Sequence, residues 1–310
     1  MSFQATLQSV SLLDSARVNG ARVVESLGAL GVEAESLTIQ GERGRTDFVK
    51  AVIPGAHGKK TGGNAPTLGI IGRLGGIGAR PEMIGLVSDG DGAVSAVAAA
   101  LKLGSMAQRG DLLPGDVIVT THICPAAPTQ PHEPVPFMGS PVDMGTMNKH
   151  EVDSQMDAIL SIDTTKGNRV INHKGFAISP TVKEGYILRI SEDLLDVMSI
   201  VTGRLPVTFP ITTQDITPYG NGLYHLNSIL QPATATPAPC VGVAITAETA
   251  VPGCATGASH VVDIEQAVRF AIEVAKKFGA GQCAFFDEEE FREIVELYGH
   301  MRHLQALGRK

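Results

Sequence analysis

DVIVTTHICP, residues 116–125, is a β-branched apolar run that stops at His122. Two further stretches share its shape: LVSDGDG at 86–92 and ILSIDTTKGN at 159–168. Continuous apolar runs of this length fit strands covered on both faces, as in parallel sheets flanked by helices. Ligands of open α/β sheets bind just beyond the carboxyl ends of the strands. Asp89, His122 and Asp163, each at the end of such a run, are therefore expected to converge. Two carboxylates and an imidazole would suit zinc or manganese. The structural alternative for each is ordinary: Asp89 near a helix start, His122 bonded to a backbone carbonyl, Asp163 opening a turn.

The surrounding sequence extends the same architecture. Leu68–Gly72, Ile84–Ser88, Val207–Ile211 and Val241–Ile245 read as buried strands, and Ser36–Gln40 with Phe48–Ile53 as strands nearer the start. Asp91–Met106, Ser191–Thr202, Asp263–Phe278 and Asp287–Leu307 read as helices from their apolar spacing and acidic first turns. Apolar residues between Leu12 and Leu30 recur at helical spacing, and Gly31 stands where a helix-ending glycine would. Strands alternating with helices predict a three-layer α/β/α sandwich around a mostly parallel mixed sheet. No linker-like composition break interrupts it, so 1–310 is expected to form one domain with a long proline-rich loop at 125–147.

Composition narrows the function. Hydrophobic residues are 43% and tryptophan is absent, so the core must be aliphatic. A net charge of −7 argues against nucleic acid as a partner. Apolar stretches such as 93–101 are too short to span a bilayer, and the first ten residues lack a secretion-signal pattern. The four cysteines, 124, 240, 254 and 283, have no framework spacing. A cytoplasmic homo-oligomer acting on a small molecule, with no membrane or nucleic-acid partner, is the expectation.

Other candidates are weaker. GRLGGIG at 72–78 follows a strand, but Pro81 falls where a dinucleotide-binding helix would run. Arg73 in that stretch could fork onto a substrate carboxylate. Thr164, Lys166 and His150 are further substrate-binding candidates. Cys124 could be a nucleophile, or could pair with Cys254 in two-base isomerisation, although buried cysteine usually packs as a small apolar group. His132-Glu133 and His150-Glu151 are acid/base-capable pairs. His260 is expected near a helix start.

GRTDFVK (44–50), APTLGIIGRLGGIGARPEMIG (65–85), VSDGDG (87–92), TTHICP (120–125), PHEPVPFM (131–138), SIDTTKGN (161–168) and SPTVKEGY (179–186) closely resemble a bacterial and archaeal family known as domain of unknown function 1177. The order of elements is also similar to the zinc exopeptidases. That second resemblance implies that Asp89 matches the bridging metal ligand and Asp163 a later one. Arg73 stands at the place of the first histidine ligand, and His122 and Cys124 replace the glutamate pair. Together these readings predict a hydrolase of a small amide or peptide-like metabolite, with one divalent metal on Asp89, Asp163 and His122. His122 would serve as ligand or general base, and Arg73 would bind the substrate carboxylate. The competing expectations are a metal-free binding protein on the same scaffold and a cysteine-dependent isomerase or hydrolase using Cys124.

Overall fold

The computed structural model describes residues 1–15, 17–73, 86, 88–130, 137–165, 167, 169–211, 228–248 and 259–305. The chain begins with helices α1 (Ser2–Leu13) and α2 (Gly20–Gly28). These are two helices rather than one, because the Asn19 side chain accepts the Arg22 amide N–H and starts the second. Gly31 follows in the left-handed region, at φ 73°. An antiparallel hairpin comes next, β1 (Glu33–Gly41) and β2 (Gly44–Ile53).

Four buried strands form the centre: β3 (Leu68–Gly72), β4 (Val117–Ile123), β7 (Ala158–Thr164) and β11 (Cys240–Thr246). Short strands complete the set: β5 (Thr129–Gln130), β6 (Phe137–Met138), β8 (Gly175–Ile178), β9 (Val182–Lys183) and β10 (Tyr186–Ile187). Among the described residues, nine strands make one sheet in the order β1-β2-β4-β3-β7-β11-β9-β10, with β8 also on β11. The middle of this order, β4-β3-β7-β11, is parallel, and both flanks are antiparallel. The molecule is thus mixed α/β with a large sheet, as the sequence pattern implies.

The helices are α3 (Asp91–Ala107), α4 (Met144–Glu151), α5 (Glu192–Thr202), α6 (Val261–Gly279) and α7 (Glu288–Tyr298). Residues such as Ile70, Val119, Leu160 and Val243 share one apolar cluster with α1, α2, α3, α5 and α6. Their neighbours Ile71, Ile118, Ile159 and Ala244 belong to a second cluster with a 3-10 turn, Ser228–Thr234. Strand alternation thus sends successive side chains to two differently covered faces. Helix α3 presses close to the first face through glycines. A Cβ at Gly92 would stand 2.4 Å from the Arg73 carbonyl oxygen and 2.6 Å from that of Ile162.

Several elements depart from the sequence pattern. Val207–Ile211 is no strand, because Pro206 precedes it, Pro210 lies within it and only Thr208 bridges to Ile178. Helix α7 stops at Tyr298 before Gly299, at φ 77°, well short of Leu307. The 125–147 loop holds the β5–β6 hairpin and the start of α4. Of the expected strand 84–88, most residues lie outside the described ones; Ser88–Gly90 is a 3-10 turn.

The tail after α7 is tied down by Glu184, at φ 49° in the β9–β10 turn. Its carboxylate meets Lys183 Nζ at 3.3 Å, His300 Nδ1 at 3.1 Å and Arg302 Nε at 2.5 Å. Gln305 Nε2 then donates to the carbonyls of Ala233 and Thr236, fastening the 3-10 turn.

Gly92→Ala should lower stability by about 1–3 kcal/mol, because the new methyl meets backbone that cannot rotate away. Urea unfolding of the variant against the parent measures this, and an unchanged midpoint would refute the close packing.

Candidate active site

The site starts from the cap of α4. Asp143 accepts the Thr146 amide at 2.9 Å and its hydroxyl at 2.7 Å. The Thr146 backbone bond, followed by its hydroxyl bond, holds the Asp143 carboxyl below its ordinary pKa. With the helix register set at Asp143, Met144, Asn148 and Glu151 fall on one side at spacings of four and three. All three meet Arg73. Its Nη1 donates to Glu151 Oε2 at 2.5 Å and to Asn148 Oδ1 at 3.4 Å, and its Nη2 lies 2.5 Å from Met144 Sδ.

The other carboxylate oxygen of Glu151 lies 2.5 Å from His122 Nδ1. Thr120, two residues before His122 on β4, donates its hydroxyl to the Glu151 carbonyl at 2.8 Å. Arg73, His122 and Glu151 are 1%, 2% and 0% exposed, so the whole relay is out of water. Burial alone would push the Glu151 pKa up. The charge of Arg73 and the hydrogen bond and charge of His122 outweigh it and hold the carboxyl below its ordinary value. Glu151 is therefore an anion shared by two partners, and Nε2 is the ring nitrogen of His122 left for another contact.

The sheet register explains why these residues meet. Ile71 pairs with Thr120 and Ser161, and Asp163 pairs with Ala244. The Arg73 amide donates to the Ile162 carbonyl at 2.7 Å, so Arg73 continues the β3 ladder. One step beyond the β3 pairs, His122, Arg73 and Asp163 form a row along the second face. Asp163 is buried, and its Oδ1 accepts the Thr164 amide at 2.7 Å.

Of the metal set expected from sequence, His122 and Asp163 lie in this row and Asp89 does not. His122 and Asp163 are two strands apart, about 10 Å at the usual interstrand spacing. The Arg73 cation stands between them. Asp89 lies in the 3-10 turn that leads into α3, which packs on the opposite face. Among the described residues, no group of three or more His, Cys, Asp or Glu side chains is placed to hold a metal ion.

The remaining candidates scatter. Cys124 donates to the Arg45 carbonyl at 3.4 Å, and burial pushes its thiol up to about 11, which opposes thiolate formation at neutral pH. His150 packs on Phe48 at 4.8 Å between ring centroids, and Phe48 in turn lies 5.5 Å from His122. Thr164 alternates onto the first face, away from Arg73. His260 is the N-cap residue of α6 but makes no side-chain cap bond. Lys166, Cys254, His132 and Glu133 lie outside the described residues. Glu151 is visible in the sequence only as half of a His-Glu pair. Its real signal is the Asp143 cap, which fixes the helix register and so aligns Met144, Asn148 and Glu151.

The family described as "Protein of unknown function (DUF1177)" matches residues 37–308. The chain belongs to it. No curated protein matches the sequence. In this DUF1177 chain the matched span contains Arg73, His122, Asn148, Glu151 and Asp163. The DUF1177 match starts within β1, so α1 and α2 precede it.

Removing one partner of a buried ion pair leaves the other charge uncompensated. Glu151→Gln should therefore cost about 3–5 kcal/mol in chemical denaturation. Because the folded carboxyl titrates below its ordinary value, its contribution is complete above the ordinary carboxylate range and fades as pH falls through the lowered value. The stability gap between parent and Glu151→Gln should narrow on acidification; a gap constant with pH would refute the shared anion.

Proposed function

We propose that this DUF1177 chain is a hydrolase of a small amide or peptide-like metabolite, with His122 as the general base. The observation that carries the reading is the His122–Glu151–Arg73 relay at the carboxyl end of the central strands. A carboxylate on Nδ1 selects the tautomer in which Nδ1 carries the proton and Nε2 the lone pair. His122 Nε2 would take a proton from water as its oxygen adds to the amide carbonyl. The same proton would then pass to the leaving nitrogen as the C–N bond breaks. Glu151 positions the ring and offsets the imidazolium charge that forms in between. Arg73 keeps Glu151 ionised. No step is routed through a metal.

The same reading assigns the chain a zinc-exopeptidase-like α/β/α scaffold, supported by the element order and by Asp163 at a strand end. Among the described residues, cysteines 124, 240 and 283 are free and buried, in keeping with the cytoplasm. No helix among the described residues is long and apolar enough to cross a membrane.

The competing reading is a binding protein without turnover, favoured by the scattered metal triple. A panel of dipeptides and N-acyl amino-acid amides separates the two. Turnover that falls about 10²–10⁴-fold in His122→Ala supports the hydrolase. A ligand-raised melting temperature with no product supports the binding protein, and turnover unchanged in His122→Ala refutes the assigned base.

A further inference from the structure

The large sheet ends differently on its two sides. One edge is β10, only two residues long. Its Tyr186 hydroxyl donates to the Gly299 carbonyl at 2.5 Å, and the Tyr186 ring packs edge-on against Phe291 of α7. The other edge is β1, nine residues long, paired with β2 in an unbroken one-to-one register from Glu33–Val52 to Gly41–Gly44. Among the described residues, no strand lies on the outer side of β1. A strand of this length offers roughly 30 Å of main chain. Along it, alternate residues point their N–H and C=O groups away from β2.

Sheet edges are normally shielded by brevity, proline, lysine, a bulge or a covering segment, because an open edge pairs with other chains. The stretch EAESLTIQG that forms β1 has no proline and no lysine, and its register has no bulge. None of its residues is buried, and Leu37 is 51% exposed. Glu33 and Glu35 are its only charged residues, and both lie in its first half. The turn at its far end carries Arg43, which spends one donor on the Ser140 carbonyl at 3.0 Å and keeps other N–H groups for a second acceptor.

This sequence is complementary to its own reverse. Antiparallel pairing about Thr38 would set Glu33 beside the partner's Arg43, Ser36 beside the partner's Gln40 and Leu37 beside the partner's Ile39. Acid meets base, polar meets polar and apolar meets apolar, and two-fold symmetry makes every match twice. Leu37 lies opposite Phe48, and Phe48 opposite His122, so Leu37 and Ile39 are on the second face. Ile39 already packs against the cluster of Phe48, Val142 and Met147 there, and the four apolar side chains of two copies would extend that cluster. We infer that β1 pairs antiparallel with β1 of a second copy of this chain, joining two sheets into one continuous layer. This gives the homo-oligomer expected from the sequence a defined interface. It is independent of the hydrolase reading, although Phe48, 5.5 Å from the His122 ring, brings the interface beside the relay.

The test is sedimentation velocity of the full chain over a wide range of concentrations. The parent should show a monomer–dimer equilibrium, because a two-fold pairing of edges closes on itself. Leu37→Lys should abolish the dimer, and its circular dichroism spectrum should match that of the parent, since Leu37 is exposed in the single chain. Glu33→Arg and Arg43→Glu should each weaken the dimer about tenfold, because two exposed ion pairs become like-charge contacts. Mixed together, these two variants should form a heterodimer of parental affinity, since the exchanged charges then face each other. This mixing experiment decides the matter even where Leu37→Lys disturbs folding. A parent that is monomeric at every concentration would overturn the inference. So would a dimer that survives Leu37→Lys unchanged, or charge variants that fail to recover on mixing.

Discussion

One carboxylate, Glu151, holds two partners in the interior: Arg73 from β3 and His122 from β4. A guanidinium with no exposure to water cannot stand alone, because desolvating an unpaired ion costs several kcal/mol. The carboxylate is in the same position, and only the use of both its oxygens makes its burial tolerable. Helix α4 depends on the arrangement in turn. At eight residues it is too short to persist by backbone propensity. Its last residue is pinned twice, through the Glu151 carboxylate and through the Glu151 carbonyl on Thr120. The helix and the charged row therefore stand or fall together.

Alternation along the central strands does the rest. Each strand gives an unbroken apolar series to the face under α3 and α6. On the other face the apolar series gives way to polar groups near the carboxyl end: Thr120 and His122, Arg73, Ser161 and Asp163, Thr246. The close seat of α3 against β3 and β7 needs Gly72 and Gly92, where any side chain would strike main chain or Ala96. Chemistry and packing are thus separated onto opposite sides of a single layer, so the polar face carries groups that the apolar face does not have to accommodate.

Much of this is legible in the amino-acid pattern alone. Buried parallel strands read as apolar runs, which is why β3, β4, β7 and β11 stand out in the sequence. Helix α5 carries its own punctuation, Ser191 accepting the Leu194 amide at one end and Gly203 in the left-handed region at the other. Val207–Ile211 looks like a strand by composition, but Pro206 before it and Pro210 within it deny it a ladder. His122, Arg73 and Asp163 can be picked out as strand-end groups. Their order cannot, because the sequence does not say that β3 inserts between β4 and β7. That insertion puts a cation between two expected metal ligands. Glu151 is hidden for a different reason: a helix within a proline-rich stretch has no visible register until its cap is known.

The strand order also governs how the site comes into being. Leu68 pairs with Val117 and with Ala158, and Cys240 pairs with Ile159. No two neighbours in the row are close along the chain. Each parallel pairing closes a long loop before its contacts repay the lost chain entropy, which makes such sheets slow to form. The relay has no local precursor, neither a hairpin nor a helical turn that could pre-assemble it. It arises only as the central sheet closes and is lost when that sheet opens. The free energy needed to open the central sheet therefore governs the persistence of the site as well.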